Sequence, residues 1–247
     1  MLFLRSFLFY LGYGLTGVIA GTLSLLLWLA PVRWRFRTLL LWNRFVIWWL
    51  RITCDIKLNL VDHNQRDKNA RFVILSKHQT IWETVFLQYY FEPLSTILKR
   101  SLLMLPFFGW GLAVLKPIAI DRSSPMTSLR QVKKLGPKRL RDGFNLLVFP
   151  EGTRTPVGQV GHYARSGVEI ASSANASVIP VAHNAGECWP AKLFIKYPGT
   201  ITVVIGEPIA TTDRDSRRVT AQVKDWIENQ IAQMPPGRRA VGKPVHV

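Results

Sequence analysis

Cysteine is nearly absent from this chain of 247 residues, which carries only Cys54 and Cys188. Two thiols cannot build a disulfide framework, and neither stands at a spacing that would hold zinc. Both are read as free thiols in a reducing compartment. Acidic residues are scarce as well: 15 Asp and Glu face 32 Lys and Arg, a formal net charge of +17. Such an imbalance calls for an anionic partner, either nucleic acid, acidic lipid, acidic protein or a phosphorylated substrate. Zinc-finger spacing, an RNA-recognition signature and a helix-turn-helix are all missing, so a nucleic-acid partner is not expected. What the chain does have is 9 Trp and 13 Phe beside long apolar runs. These point to a membrane, and anionic membrane lipid is the expected surface partner.

Charge is missing altogether from Ser6 to Val32. As a helix this stretch is about 40 Å long, against a hydrocarbon core of about 30 Å. It is too long for the apolar part of a signal peptide, and no small-residue cleavage site follows. Arg33, Arg35 and Arg37 come next and are expected on the cytoplasmic side, with the rest of the chain. A second apolar piece, residues 39–51, is too short to span and is interrupted by Asn43 and Arg44; Trp42, Trp48 and Trp49 suit the headgroup region. Two arrangements remain open, a true span by the first piece or a two-helix hairpin dipping into one leaflet. Residues 1–52 are therefore read as a membrane anchor, 53–234 as a soluble domain, and 235–247 as a disordered basic tail.

The domain reads as α/β. Residues 55–61 alternate polar and apolar, while 72–75 are continuously apolar, as a fully buried strand would be. Further strands are expected at 95–98, 117–120, 145–149, 178–182 and 200–205. Helical patterns lie at 82–91, 101–114, 125–142 and 163–174. A last helix is marked by Val219, Val223, Trp226, Ile227 and Ile231 on one face. Strands alternating with helices predict a mostly parallel or mixed central sheet flanked by helices, preceded by the membrane-associated helical segment. No repeat at a fixed period is present.

Two strand ends carry chemistry. His78 follows the run 72–75, and Glu83 stands five residues on. On one regular helix these two would be about 140° apart. They meet only if His78 precedes a helix that has Glu83 in its first turn. Thr80-Ile81-Trp82-Glu83 supports this as a T-x-x-E capping box with Thr80 as N-cap. Taken alone, the same residues are what any strand end and capped helix would show. The second strand end is L-V-F-P-E-G-T-R, residues 147–154. A glycine-bearing turn with threonine and arginine suits a phosphate, through close backbone N–H groups and a bidentate guanidinium. Alone it is also compatible with an ordinary turn bearing a solvated arginine.

Together the stretches resemble the glycerolipid acyltransferase family, of the bacterial 1-acyl-sn-glycerol-3-phosphate acyltransferase type. The matching blocks are H-Q-T-I-W-E (78–83), P-I-A-I-D-R (117–122), F-P-E-G-T-R (149–154) and V-I-P-V (178–181). The likeness covers roughly residues 55–210 and makes 53–234 an acyltransferase domain. It implies acyl transfer from acyl-CoA or acyl-carrier protein to the sn-2 hydroxyl of lysophosphatidate, giving phosphatidate at the inner (cytoplasmic) membrane. His78 would be the general base and Glu83 its orienting acid. The acceptor phosphate would fall to Arg154, with Arg122 and Lys99 as further candidates, on the turn formed by Glu151, Gly152 and Thr153. Glu151 would orient Arg154 or the turn, or act as a simple capping carboxylate. No cofactor beyond the acyl thioester and no metal is implied, since H-Q-T-I-W-E is not the H-E-x-x-H zinc arrangement. The family's acid is usually aspartate, so Glu83 requires a backbone about one methylene further away. The lysine often found after the phosphate motif is missing; Arg165 is the candidate substitute. A nucleophilic serine is not implied, although Ser76 is close. Residues 102–115 are either a wall for the acyl chain or ordinary helix core. Another lyso-lipid acceptor, or a non-catalytic lipid-binding role, are the competing readings.

Overall fold

The computed structural model describes residues 1–63, 67, 69–121 and 123–238. Among them lies one seven-stranded sheet, in the order β1-β7-β6-β2-β5-β3-β4. The strands are β1 (Ile56–Asp62), β2 (Val73–Ser76), β3 (Leu94–Lys99), β4 (Ile118–Ile120), β5 (Asn145–Val148), β6 (Val178–His183) and β7 (Gly199–Ile205). All neighbours are parallel except β6 and β7, which makes the sheet mixed, as expected.

The continuous apolar runs are explained by burial on both faces. In β2, Ile74 joins one core while Val73 and Leu75 join the other; in β5 Leu147 opposes Leu146 and Val148 in the same way. Each face therefore needs a layer of helices. One layer holds α1 (Leu2–Leu26), α2 (Val32–Cys54) and α3 (Trp82–Tyr90), which contribute Phe9, Leu50 and Phe86. The other holds α5 (Pro125–Arg141), α6 (Ser166–Ser173) and α8 (Ser216–Gln233), with Val132, Val168 and Val223; the short α7 (Ala185–Cys188) follows β6.

Helices α1 and α2 form an antiparallel hairpin. The Trp49 indole N–H donates to the Leu8 carbonyl at 3.2 Å and that of Trp42 to Thr16 Oγ1 at 3.1 Å. Glycine makes the close approach possible, because a Cβ at Gly12 would fall 2.3 Å from the Trp49 nitrogen. The polar pair that interrupts the second apolar piece does not break α2. Asn43 donates to the Val85 carbonyl at 3.1 Å, and the Arg44 guanidinium lies 5.0 Å from the Tyr89 ring centroid, so both turn toward α3.

Three expectations are corrected. The helix read over 101–114 is a 3₁₀ turn (Arg100–Met104) followed by α4 (Phe108–Val114). Pro106 explains the break, since it lacks an N–H and pushes the preceding residue out of the helical region; Leu105 is extended. The helix expected from 163 begins at Ser166, because the Tyr163 hydroxyl and Ala164 N–H bond elsewhere, to Glu228 and the Pro150 carbonyl. Finally, residues 235–238 of the expected tail lie against the domain. Gly237 accepts from Thr200 N–H at 2.8 Å and donates to Glu187, and Arg238 covers the Tyr197 ring at 3.6 Å. Backbone groups beside the free side of β7 at Gly199 have partners to offer, and the chain after α8 takes them. Residues 239–247 lie outside the described residues.

Candidate active site

Parallel strands bring their carboxyl ends to one edge of the sheet, and two neighbours there are β2 and β5. His78 lies just beyond β2. Its Nδ1 is 2.8 Å from Glu83 Oε1, and the same oxygen accepts the N–H groups of Gln79 at 2.8 Å and Thr80 at 2.7 Å. Glu83 thus orients the imidazole and caps the helix start at once. Helix α3 begins one residue later than the capping-box reading, with Ile81 as N-cap, and Thr80 Oγ1 accepts from Trp82 N–H at 2.8 Å. Glu83 is fully buried, and its Oε2 has no hydrogen-bond partner among the described residues. Burial pushes this carboxyl up, but the His78 bond and the Thr80 N–H outweigh it and hold it below the ordinary 4.5. Glu83 is therefore ionised at neutral pH, which places the imidazole hydrogen on Nδ1 and leaves Nε2 as an acceptor. The ring is 12% exposed and stacks on Phe149, with centroids 3.9 Å apart.

The turn after β5 is clamped to His78 from both sides. Glu151 Oε2 accepts the His78 N–H at 3.0 Å, and Thr155 N–H donates to the His78 carbonyl at 2.8 Å. Gly152 closes the turn on the Phe149 carbonyl at 3.0 Å with φ +68°, a region where a side chain is strained. The Glu151 carboxylate is buried, whereas Gly152, Thr153 and Arg154 face solvent. Arg154 forms no ion pair among the described residues, so its donors are available to a ligand.

The remaining expected residues are placed as follows. Lys99 ends β3 on the same sheet edge and is exposed; together with Arg100 it adds to the field that lowers Asp121, whose largest support is the Ser123 hydroxyl. No hydrogen bond or ion pair joins Lys99 to His78 or Arg154 among the described residues. Arg122 lies outside the described residues. Arg165 is exposed at the start of α6. Ser76 is buried, with its hydroxyl donating to the Lys77 carbonyl at 3.0 Å. Residues 102–115 line a cavity of about 480 Å³ shared with α1 and α2, whose wall includes Ile81, between His78 and Glu83 in the chain, and Thr84, next after Glu83.

Four residues escaped the sequence reading. Lys77 is buried beside the dyad and pairs with Glu151 and Glu228. The Gln79 side-chain Oε1 accepts Gly186 N–H at 3.0 Å. His183, fully buried, bonds the Lys77 carbonyl through Nε2 at 2.9 Å. Lys77 had one visible signal, a cation written directly after a fully buried strand. Glu228 had none, being an off-stripe residue on α8.

A model of the acyltransferase family matches residues 57–184, the segment from β1 to the end of β6. The chain is 44% identical over 248 residues to the 1-acyl-sn-glycerol-3-phosphate acyltransferase of Pseudomonas aeruginosa, covering 98% of this chain and 95% of the relative. This chain belongs to the acyltransferase family. More distant relatives include the 1-acyl-sn-glycerol-3-phosphate acyltransferase of Cocos nucifera, 25% identical over 186 residues, with 71% of this acyltransferase and 60% of that one covered. The crystal structure of the 1-acyl-sn-glycerophosphate acyltransferase of Thermotoga maritima shares the fold. Its TM-score is 0.76 at 20% identity, covering 93% of this acyltransferase and 94% of that chain.

Proposed function

We propose that this acyltransferase moves a fatty acyl group from a thioester, acyl-CoA or acyl-carrier protein, to the sn-2 hydroxyl of lysophosphatidate, giving phosphatidate. The observation that carries the reading is the juxtaposition of an oriented imidazole with an exposed arginine on a turn bonded to that same histidine. Such a pair suits an acceptor that is both an alcohol and a phosphate. The Pseudomonas relative, similar over nearly its whole length, bears the name of that reaction.

An alcohol is a poor nucleophile at neutral pH. His78 Nε2 takes the hydroxyl proton as the oxygen attacks the thioester carbonyl, and Glu83 stabilises the imidazolium that forms. Collapse of the tetrahedral adduct breaks the C–S bond, and the imidazolium returns the proton to the departing thiolate. The acceptor oxygen itself attacks, so no acyl-enzyme forms, in keeping with the committed Ser76 hydroxyl. Arg154, on the Glu151-Gly152-Thr153 turn, binds the acceptor phosphate, Lys99 adds positive charge along the same sheet edge, and Arg122 is the further candidate from the family motif. The cavity between α1, α2, α3 and residues 102–115 accommodates the acyl chain.

The hairpin of α1 and α2 anchors the enzyme to anionic lipid in one leaflet of the inner membrane, with the domain in the cytoplasm. Helix α1 is long and apolar enough to cross a bilayer. Yet it touches the domain near both ends. Phe9 meets Trp189 at 5.0 Å, and Gly21 lies against the Phe107 backbone, where a Cβ would come within 2.3 Å. A helix pinned twice to one side favours the hairpin reading over a span.

The test is turnover of purified enzyme with acyl-CoA or acyl-carrier protein and a panel of lyso-lipids. Lysophosphatidate is expected to be the best acceptor. Turnover only with a lyso-phospholipid of larger head group, or with lyso-ornithine lipid, would reassign the acceptor. No consumption of either thioester would leave a lipid-binding protein.

A further inference from the structure

A lysine next to the proposed base is an unexpected residue to bury. Lys77 is 1% exposed, although β2 carries it straight to His78. A buried ammonium is tolerated only among anions and acceptors. Lys77 Nζ finds three: Glu228 Oε1 at 2.8 Å, Glu151 Oε1 at 3.0 Å and the Gln159 carbonyl at 3.0 Å. The carboxylates are themselves engaged. Glu151 accepts the N–H groups of His78 at 3.0 Å and Gly161 at 3.3 Å, and Glu228 accepts the Tyr163 hydroxyl at 2.8 Å. Burial, hydrogen bonding to Glu228 and its charge all push the Tyr163 hydroxyl upward, so it stays a donor.

None of these side chains bonds the His78 ring or the Arg154 guanidinium. Each arm of the cluster instead ends on something the reaction needs. Glu151 ties the turn bearing Arg154 to the main chain of His78. Glu228 comes from α8, beyond the segment 57–184 matched to the family. The cluster therefore couples the C-terminal helix to the turn, and its charges sum to −1 with one cation between two anions.

We propose that Lys77 is a positioning residue, whose buried charge holds Glu151 beneath the Arg154 turn and so sets the affinity for the acceptor phosphate, with Glu228 of α8 as its counterweight. Without Lys77, two carboxylates would share the pocket unscreened and repel. Glu151 would leave its place under the turn, and Arg154 would move with it. The proposal rests on the reading of that turn as the phosphate site.

The experiment measures acceptor and donor KM, kcat and Tm with lysophosphatidate and an acyl-CoA. The variants are Lys77→Met, Glu228→Gln, the two combined, and Arg154→Ala. Lys77→Met is expected to raise acceptor KM about tenfold or more while donor KM stays within about threefold. The double variant restores the cluster's charge of −1, and its acceptor KM is expected to return to within about threefold of the parent enzyme. A lysine that merely fills space predicts the opposite, a double variant at least as impaired as Lys77→Met. That result, or an acceptor KM unmoved in Lys77→Met, overturns the proposal. If Lys77→Met does not fold, the double variant decides by the same criterion. If neither folds, Glu228→Gln decides, because it leaves the Lys77 and Glu151 pair in place. A change under about threefold supports the role of the lysine, and a rise of about tenfold assigns the turn to α8 instead. Arg154→Ala separates the layers: an unmoved acceptor KM there removes the phosphate site itself, whereas a raised one with Lys77→Met unmoved removes only the role of Lys77.

Discussion

The two strand-end loops of the site use the same kinds of residue in opposite ways. In the loop after β2, polar groups turn inward: Glu83 is fully buried, one of its oxygens holds three donors, and the histidine is 12% exposed. In the turn after β5, the acid goes inward and the cation outward: Glu151 is buried while Gly152, Thr153 and Arg154 meet solvent. The difference suits the role proposed for each. A base has to be aimed before the reaction, so its hydrogen bonds are spent inside the protein. An anion site has to keep donors unspent until the anion arrives. Bonds between Glu151 and His78, and between Thr155 and His78, then fix the distance between the two tasks.

Removing the aimed group should have the largest effect. His78→Ala is expected to lower kcat by about 10²–10⁴-fold, with Tm changed little because the Gln79 and Thr80 N–H groups still hold Glu83. Activity close to the parent's would dismiss the base. Glu83→Gln should cost about 10²–10³-fold in kcat, because an amide neither fixes the Nδ1–H tautomer nor stabilises the imidazolium. Here acceptor KM should stay within about threefold, since the outward-facing turn is untouched. A change confined to KM would show that Glu83 serves the turn, and the contrast between the loops would fail.

The outward turn is broken by Arg154→Ala. The lost charge-assisted bond, about 1.5–3 kcal/mol, should appear as a rise of about 10- to 150-fold in acceptor KM, with kcat nearly constant. Measured against a neutral lyso-lipid, the same variant should show no such loss. An equal loss with both acceptors would mean that the arginine does not recognise phosphate.

Much of this contrast was legible in the residues. All seven strands fall within one residue of the expected spans: β2, β5 and β6 are buried on both faces and are written as apolar runs, whereas β1 is marked by alternation and is mostly exposed rather than half-buried. His78 and Glu83 could be placed together because a helix start was needed between them. What stayed hidden depended on distant partners. The antiparallel setting of β7 against β6 leaves no local mark, since an apolar run reads the same in either direction. Glu228 lies off the apolar stripe of α8, and only the fold brings Lys77 to it. Pro106, by contrast, was a visible breaker, and the run of Leu, Phe and Trp around it concealed that signal. The pairing of residues 235–238 was masked by a composition rich in Pro, Gly and Arg, which describes a tail only if no sheet backbone awaits it.

The smallest expected effect concerns what stiffens the inward loop from behind. His183 is fully buried at the end of β6, donating through Nε2 to the Lys77 carbonyl at 2.9 Å, while its Nδ1 accepts from Ala185 N–H at 3.3 Å. Both ring nitrogens are engaged as those of a neutral imidazole. Burial, the largest influence, drives its pKa below the ordinary 6.5, outweighing the pull of Glu83 and the Lys77 carbonyl. Below pH 6.5 the unfolded chain binds a proton there that the folded chain refuses, so the unfolded state carries more protons and stability falls with falling pH. The loss should begin near 6.5, well above the range where protonation of Glu83, held below 4.5, removes its own contribution. A series of Tm measurements from about pH 8 down to about pH 5 checks this, with His183→Gln as the comparison. Glutamine can still donate to the Lys77 carbonyl but has nothing to titrate. The variant should be flatter across the upper part of the window. Parallel curves would mean that His183 does not sense acid and that the stiffness of the inward loop comes from Glu83 and its three donors alone.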